Sequence, residues 1–508
     1  MSGQSSFKRK VAYLVGIAVL MVPIALLGQP STSGTINHPG STGGVLAQWR
    51  REQGLSQTNL GELDPTTEAL KLAALGMRGV ASTILWTKSQ RFQREQDWTS
   101  LSAAYEQITK LQPHFISAWR NQAWNLSYNV SIEWDNYHDR YFWIIKGINF
   151  AKEGARYNDR SPLLKWEIGW IISQKIGRSD EHTLFRELFR EDDDFHGGRR
   201  TGNQRDNWLV GKEWFVAAQN LVDNENVPLR GKNPIVFHTH PAMAQINYAM
   251  AIEEEGTFGE VAQVAWSRAR QDWKKYGERE FDIHGTRIRL EDFDLYLGFY
   301  REKVAALEAL QPGLRNQLLG MKIAKLSEAD QALLKKPREK LTSEDIDRLR
   351  KLQSRITVDH GEVAEQIPPD HREEARKLAS EATNYYNKLE LIDHSRNETN
   401  FRFWKMRCQA EKTDDALSAR RLIYEGNRAY EEGADLQTAR QQYEAGLERW
   451  SAVFDQFPLL LEDGTIGDEL LEVIDRYKEI LRKSDEPFPD PFVLQKLLDF
   501  NWMPTPPK

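Results

Sequence analysis

Four of the 11 histidines lie between residues 178 and 241, among acids and arginines, and any metal or acid–base chemistry would start there. His238-Thr239-His240 follows Ile235-Val236-Phe237. If that run is extended, residues two apart face one side and both imidazoles can reach one ion. Asp192, Asp194 or His196 could complete the set, and imidazoles with a carboxylate suit a first-row metal. The metal candidates are therefore His238, His240 and His196. The competing reading is a plain loop before Pro241, with His240 near the start of a helix at Ala242. It is favoured because no residue that would orient the imidazoles can be picked out.

The other reactive groups have quieter readings. Glu191-Asp192-Asp193-Asp194 lacks the alternating oxygens, glycine and distant Glu of a calcium loop, and reads as a solvated helix end. Arg199, Arg200 and Arg205 follow these acids and could bind an anionic partner, but local pairing is the simpler reading. Cys408 is the single cysteine of 508 residues, so no internal disulfide, CxxC zinc site or cysteine-ligated cluster can form. As a nucleophile it would need a His and an Asn that cannot be assigned, and it reads as a small buried apolar residue. HExxH, GxSxG, the P-loop pattern and GxGxxG after a strand are all missing, so no enzyme activity and no cofactor are expected. The net charge of −6 argues against nucleic acid as a partner.

These residues must be held by helices. From Thr66 onward helix signals dominate and β-branched alternation is scarce, which predicts an all-α chain. Small and aromatic residues recur at helical spacings. Trp119 and Ala123 lie four apart, Gly147, Ala151 and Gly154 are spaced by four and three, and Pro162, Trp166 and Gly169 open a further unit. Ala262, Trp266 and Ala269 follow the turn Gly256-Thr257-Phe258, and Tyr430, Ala439, Tyr443, Gly446 and Leu447 form the clearest copy. Small residues let helices approach while aromatics fill the adjoining groove, as stacked helix pairs require. Most of the tryptophans are accordingly read as packing residues; the rest could anchor a peptide.

These segments resemble tetratricopeptide repeats, with a period near 34. The resemblance covers about half of the chain beyond the N-terminus, in separated blocks. Asn427 stands where a small residue is usual, 129–139 looks like an insertion within a pair, and 178–241 interrupts the array. The resemblance implies an irregular helical-repeat solenoid that offers a groove to a protein or peptide. The stretch from Phe185 to Phe215 also resembles a group of uncharacterised bacterial membrane-anchored proteins, some labelled "iron-responsive element". That label names an RNA element, and no basic or aromatic RNA surface supports it in this sequence.

At the N-terminus, 11–27 is an uncharged run preceded by Lys8-Arg9-Lys10, and 28–48 contains no Lys or Arg. This predicts a single-pass helix, N-terminus cytoplasmic and bulk exported to the periplasm or cell surface. A cleaved signal peptide is the rival reading, disfavoured by the poor cleavage site at Ala25-Leu26-Leu27-Gly28. The expected organisation is a tip and anchor at 1–28, a flexible linker at 29–48 and repeat-like helices at 49–177. An irregular polar insertion follows at 178–241, and a repeat-like pair at 242–290. Charged long helices or a helical hairpin at 291–397 come next, then repeat-like helices at 398–485 and an extended proline-rich tail at 486–508. Thirteen of the 16 tryptophans lie from Trp49 to Trp273 and none from Lys274 to Phe403, which places a boundary near Glu291. The expected function is a membrane-tethered, exported scaffold for protein–protein interaction. The alternative is an exported metal-dependent enzyme or metal sensor using 178–241.

Overall fold

The structure is a computed structural model that describes residues 78–502 except 199, 200, 338, 339, 433, 434 and 463, together with 19, 23, 44, 45, 48 and 49. The run 11–27 and the linker 29–48 fall almost wholly outside the described residues, and Arg199-Arg200 entirely so. Among the described residues no helix is long and apolar enough to cross a membrane. The described chain is all-α and helical-repeat-like, with one two-stranded hairpin. It forms two compact units, Met1–Gly231 and Lys232–Lys508.

Unit 1 is a series of helix hairpins. α1 (Arg78–Arg94) packs on α2 (Trp98–Leu111), whose N-cap Asp97 accepts from the amide of Ser100. α3 (Ile116–Trp124) runs into a π turn, Asn125–Val130, and pairs with α4 (Tyr137–Tyr157). α5 (Pro162–Trp170) runs into a second π turn, Ile171–Lys175. It pairs with α8 (Asn207–Asp223), and the short α6 (His182–Glu191) and α7 (Asp193–His196) lie between them in sequence.

The stretch read as an irregular insertion is therefore largely helical. Its second half is the missing partner of α5, and only the polar α6–α7 segment is a true excursion. Trp208, Gly211, Phe215 and Ala218 give α8 an apolar face, but the turn-rich flanks obscured it.

The two π-turned hairpins are built alike. A Cβ on Gly147 would collide with Ser127 Oγ and lie 2.7 Å from the Ala123 carbonyl oxygen. A Cβ on Gly211 would collide with Ser173 Oγ and lie 3.0 Å from the Gly169 carbonyl oxygen. Ala123 and Ser127 map onto Gly169 and Ser173 with one offset, 46 residues, which is also the offset between the π turns. This offset exceeds the roughly 34-residue period of the resemblance.

Unit 2 opens with the short α9 (Pro234–Phe237) and the hairpin of α10 (His240–Glu254) with α11 (Glu260–Glu278). Gly256 and Gly259 turn the chain between them at φ +84° and +70°, where side chains are strained. β1 (Phe281–Ile283) and β2 (Thr286–Ile288) pair antiparallel, Phe281 opposite Ile288. α12 (Phe293–Leu310) packs along α17 (Pro369–Glu398). Between them lie α13 (Leu314–Ala324), α14 (Glu328–Leu334), α15 (Ser343–Ile356) and α16 (His360–Gln366). α18 (Phe401–Glu411) then returns to α11, where the Trp273 indole donates to the Phe401 carbonyl at 3.1 Å. The charged segment is thus an excursion within unit 2, and the division of the chain falls at 231/232, well before Glu291.

α19 (Asp414–Glu431) and α20 (Leu436–Gln456) form the last hairpin, followed by α21 (Gly464–Lys483). The expected extended tail contains another helix, α22 (Gln495–Trp502), because 495–502 holds no proline.

Candidate functional site

Helix packing accounts for the residues singled out by spacing. Trp119 is buried beneath Gly154, whose Cβ would lie 2.7 Å from the indole, and its Nε1 donates to the Pro113 carbonyl at 2.7 Å. Ala123 meets Gly147, and Gly169 leaves room for Phe215 of α8. Trp166 is buried and its ring lies 6.1 Å from that of Phe215. In unit 2, Ala262, Trp266 and Ala269 are buried along α11, and Ala439 and Tyr443 along α20. Gly446 gives Ile423 close access. The small residue under the Tyr443 ring is Gly426, and the neighbouring Asn427 accepts from Tyr443 Oη at 2.8 Å. The Tyr430 hydroxyl donates to Glu479 at 2.7 Å.

The metal candidates divide between the units. His196, in unit 1, is buried with Nε2 2.7 Å from the Phe189 carbonyl oxygen. His238 and His240 belong to unit 2. The run before them is helical, since Asn233 caps it and Pro234 takes the first helical position, so the two imidazoles do not share a strand face. His238 is buried against Phe237 and Phe281, and His240 Nδ1 lies 3.2 Å from the Phe237 carbonyl oxygen. Burial pushes the His240 imidazole down to about 4. Among the described residues no group of three His, Cys, Asp or Glu side chains is placed to hold an ion.

The acids and arginines of the same stretch pair locally. Asp192 caps α7 and accepts from Tyr141 Oη at 2.8 Å, while Asp193 meets Arg205 at 2.7 Å. Arg186, fully buried, meets Asp206 at 2.9 Å. Cys408 is buried, and burial pushes its thiol up to about 12, which disfavours the thiolate at neutral pH.

Two constellations escaped sequence reasoning. The first is a buried ionic network in unit 2. Glu411 on α18 receives Arg420 of α19 in a two-pronged contact of 2.6 and 3.2 Å and Arg407 at 3.4 Å. Glu469 of α21 takes the other prong of Arg420 at 2.7 Å. Glu253, near the end of α10, accepts from the Trp266 indole at 2.9 Å. Burial, and then the charge of Glu411, push the Glu253 carboxyl up to about 8. Arg407, buried beside the Phe403 and Trp404 rings, keeps one terminal nitrogen without a hydrogen-bond partner. The ion pairs tie α18, α19 and α21 together, Glu253 of α10 lies within their electrostatic reach, and Glu253, Arg407 and Glu411 are closed to solvent.

The second is an exposed aromatic face in unit 1, on the segment 129–139 and the first turns of α4. Trp134 is 43% exposed, Phe142 59% and Ile132 58%. The Trp134 ring stacks on Trp143 at 6.3 Å, Phe142 meets Trp143 edge-on at 5.7 Å, and Lys146 Nζ lies 4.4 Å from the Trp143 ring centre. The backbone beneath is held. Trp98 Nε1 donates to Glu133 at 3.0 Å, Arg140 binds both the Trp134 carbonyl and Glu181, and Asn136 caps α4. The sequence signal was a tryptophan in a loop between helices, outside any small-residue register.

No protein-family model matches the chain, and no curated protein is significantly similar to it.

Proposed function

We propose that this protein is a helical-repeat interaction scaffold of the tetratricopeptide-like kind, tethered to a membrane through 11–27 with its bulk exported. In this reading it binds a protein segment on the aromatic face of unit 1. One observation carries the reading: large aromatic side chains stand in solvent on a backbone that is itself fixed by hydrogen bonds and a helix cap. Exposed Trp and Phe on a rigid support cost little ordering entropy on binding and are the residue types that dominate interface energies. Glu133, Asp135 and Lys146 give the face a polar rim.

The test is crosslinking and capture from membranes with the full chain as bait. Trp134→Ala with Phe142→Ala should reduce capture of the specific partner about 30-fold, as expected for loss of a hot spot near 2 kcal/mol, with the far-ultraviolet spectrum unchanged. Undiminished capture would remove the aromatic face from the account.

A further inference from the structure

α12 presents two faces. Tyr296, Tyr300 and Leu307 turn toward α17, where the two tyrosine rings meet Tyr385 at 6.1 Å and Tyr386 at 5.8 Å. The opposite face carries Asp294, Leu295, Gly298, Arg301, Glu302, Ala305 and Ala309, all exposed. Leu295 is 53% exposed, whereas Phe299 lies outside this face, its ring 5.4 Å from that of Tyr385 on α17.

Gly298 sits in the second turn of this helix, and a Cβ there would meet nothing within 4 Å. Glycine inside a helix costs about 1 kcal/mol relative to alanine, and nothing in the fold uses the space it leaves. A second helix laid against this face could approach closely at Gly298.

The charges of the face are complementary to themselves. On the helical wheel Asp294 and Arg301 lie on one side of Gly298, and Leu295 on the other. In an antiparallel pair related by a two-fold axis, residues on one side meet residues on the same side of the partner. Centred on residues 297–298, that pairing sets Asp294 against the partner's Arg301, twice over. Gly298 then lies at the crossing.

We propose that the exposed face of α12 pairs with the same face of a second copy of this chain, antiparallel, about a two-fold axis at Gly298. A single helix pair is a small interface, so the association is weak and reversible.

Disulfide trapping tests it on the full chain in membranes, where the native Cys408 is buried and silent. Gly298→Cys should give, on mild oxidation, a band at twice the chain's mass. Met321→Cys, also exposed, on α13, should not. Adding Asp294→Arg to Gly298→Cys should cut the dimer at least tenfold, and adding Arg301→Asp to both should restore it. Trapping of Gly298→Cys no better than Met321→Cys overturns the proposal. So does a trapped band containing a different protein, or a charge exchange that fails to restore the dimer.

Discussion

The two units use the same element, a helix hairpin with small residues at the crossing, but close their interiors differently. In unit 1 the π-turned hairpins meet through Gly147 on Ser127 and Gly211 on Ser173, backbone against backbone, with a largely apolar core of Ile144, Ile148, Leu164, Ile168 and Ile172. Its aromatic surplus faces water at Trp134 and Phe142. In unit 2 the buried Glu253, Arg407 and Glu411 of α10 and α18 stand beside the partly exposed Arg420 of α19 and Glu469 of α21. Close backbone contact fixes a register by shape, and buried ions fix a set of partners by charge. Unit 1 buries a single pair of this kind, Arg186 with Asp206 beside α8, whereas unit 2 gathers several charges from different helices at one place.

The contrast can be broken most severely at Glu411. Glu411→Ala leaves Arg407 and Arg420 without their shared carboxylate and should destabilise unit 2 by about 3–5 kcal/mol. Hydrogen exchange should show faster opening of α18 to α21, with α3 to α8 unchanged.

The next effect depends on pH. The Glu253 carboxyl is held up to about 8 in the folded state, against an ordinary value of 4.5. Below 4.5 both states are protonated. As pH rises from 4.5 to 8 the unfolded chain ionises and the folded chain does not, so the native protein loses stability, and above 8 the loss is complete. Glu253→Gln cannot ionise and still accepts from Trp266. Thermal melts of the two proteins should converge near pH 4.5 and differ by roughly 2–4 kcal/mol at pH 8, the variant being the more stable. A difference independent of pH would contradict the assignment.

Gly147→Ala probes the other kind of closure. The added methyl meets the Ala123 carbonyl, which is backbone and cannot swing aside, so unit 1 should lose about 1–3 kcal/mol with unit 2 unaffected. The smallest change in stability belongs to Trp134→Ala with Phe142→Ala. Both side chains are exposed, so the melt should move by about 0.5 kcal/mol or less while partner capture collapses.

How far the sequence speaks depends on whether a signal is local. Thr342 and Asp345 form a reciprocal cap at the start of α15, Ser327 caps α14, and Pro368-Pro369 opens α17, all from residues within one helical turn. The pairing of Trp119 with Gly154 was visible in residue size alone. Glu253 was not legible, because Glu253-Glu254-Glu255 before Gly256 reads as a solvated helix end, and only the approach of α18 and α19 makes one of the three a buried acid. Trp134 was hidden for the opposite reason. A tryptophan near helix pairs is usually packing, and its exposure is decided by neighbours that arrive from Trp98 and Glu181. The partnership of α5 with α8 was obscured because the α6–α7 excursion separates them in sequence.

The central claim is that the aromatic face of unit 1 is where this protein meets its partner. A photo-crosslinking residue placed at Phe142 in the full chain, in cells, tests it directly, with the same residue at exposed Val216 of α8 as the control. The account predicts one discrete crosslinked species from position 142, lost when Trp134→Ala is added, and none from position 216. Equal or absent crosslinking at the two positions would contradict it.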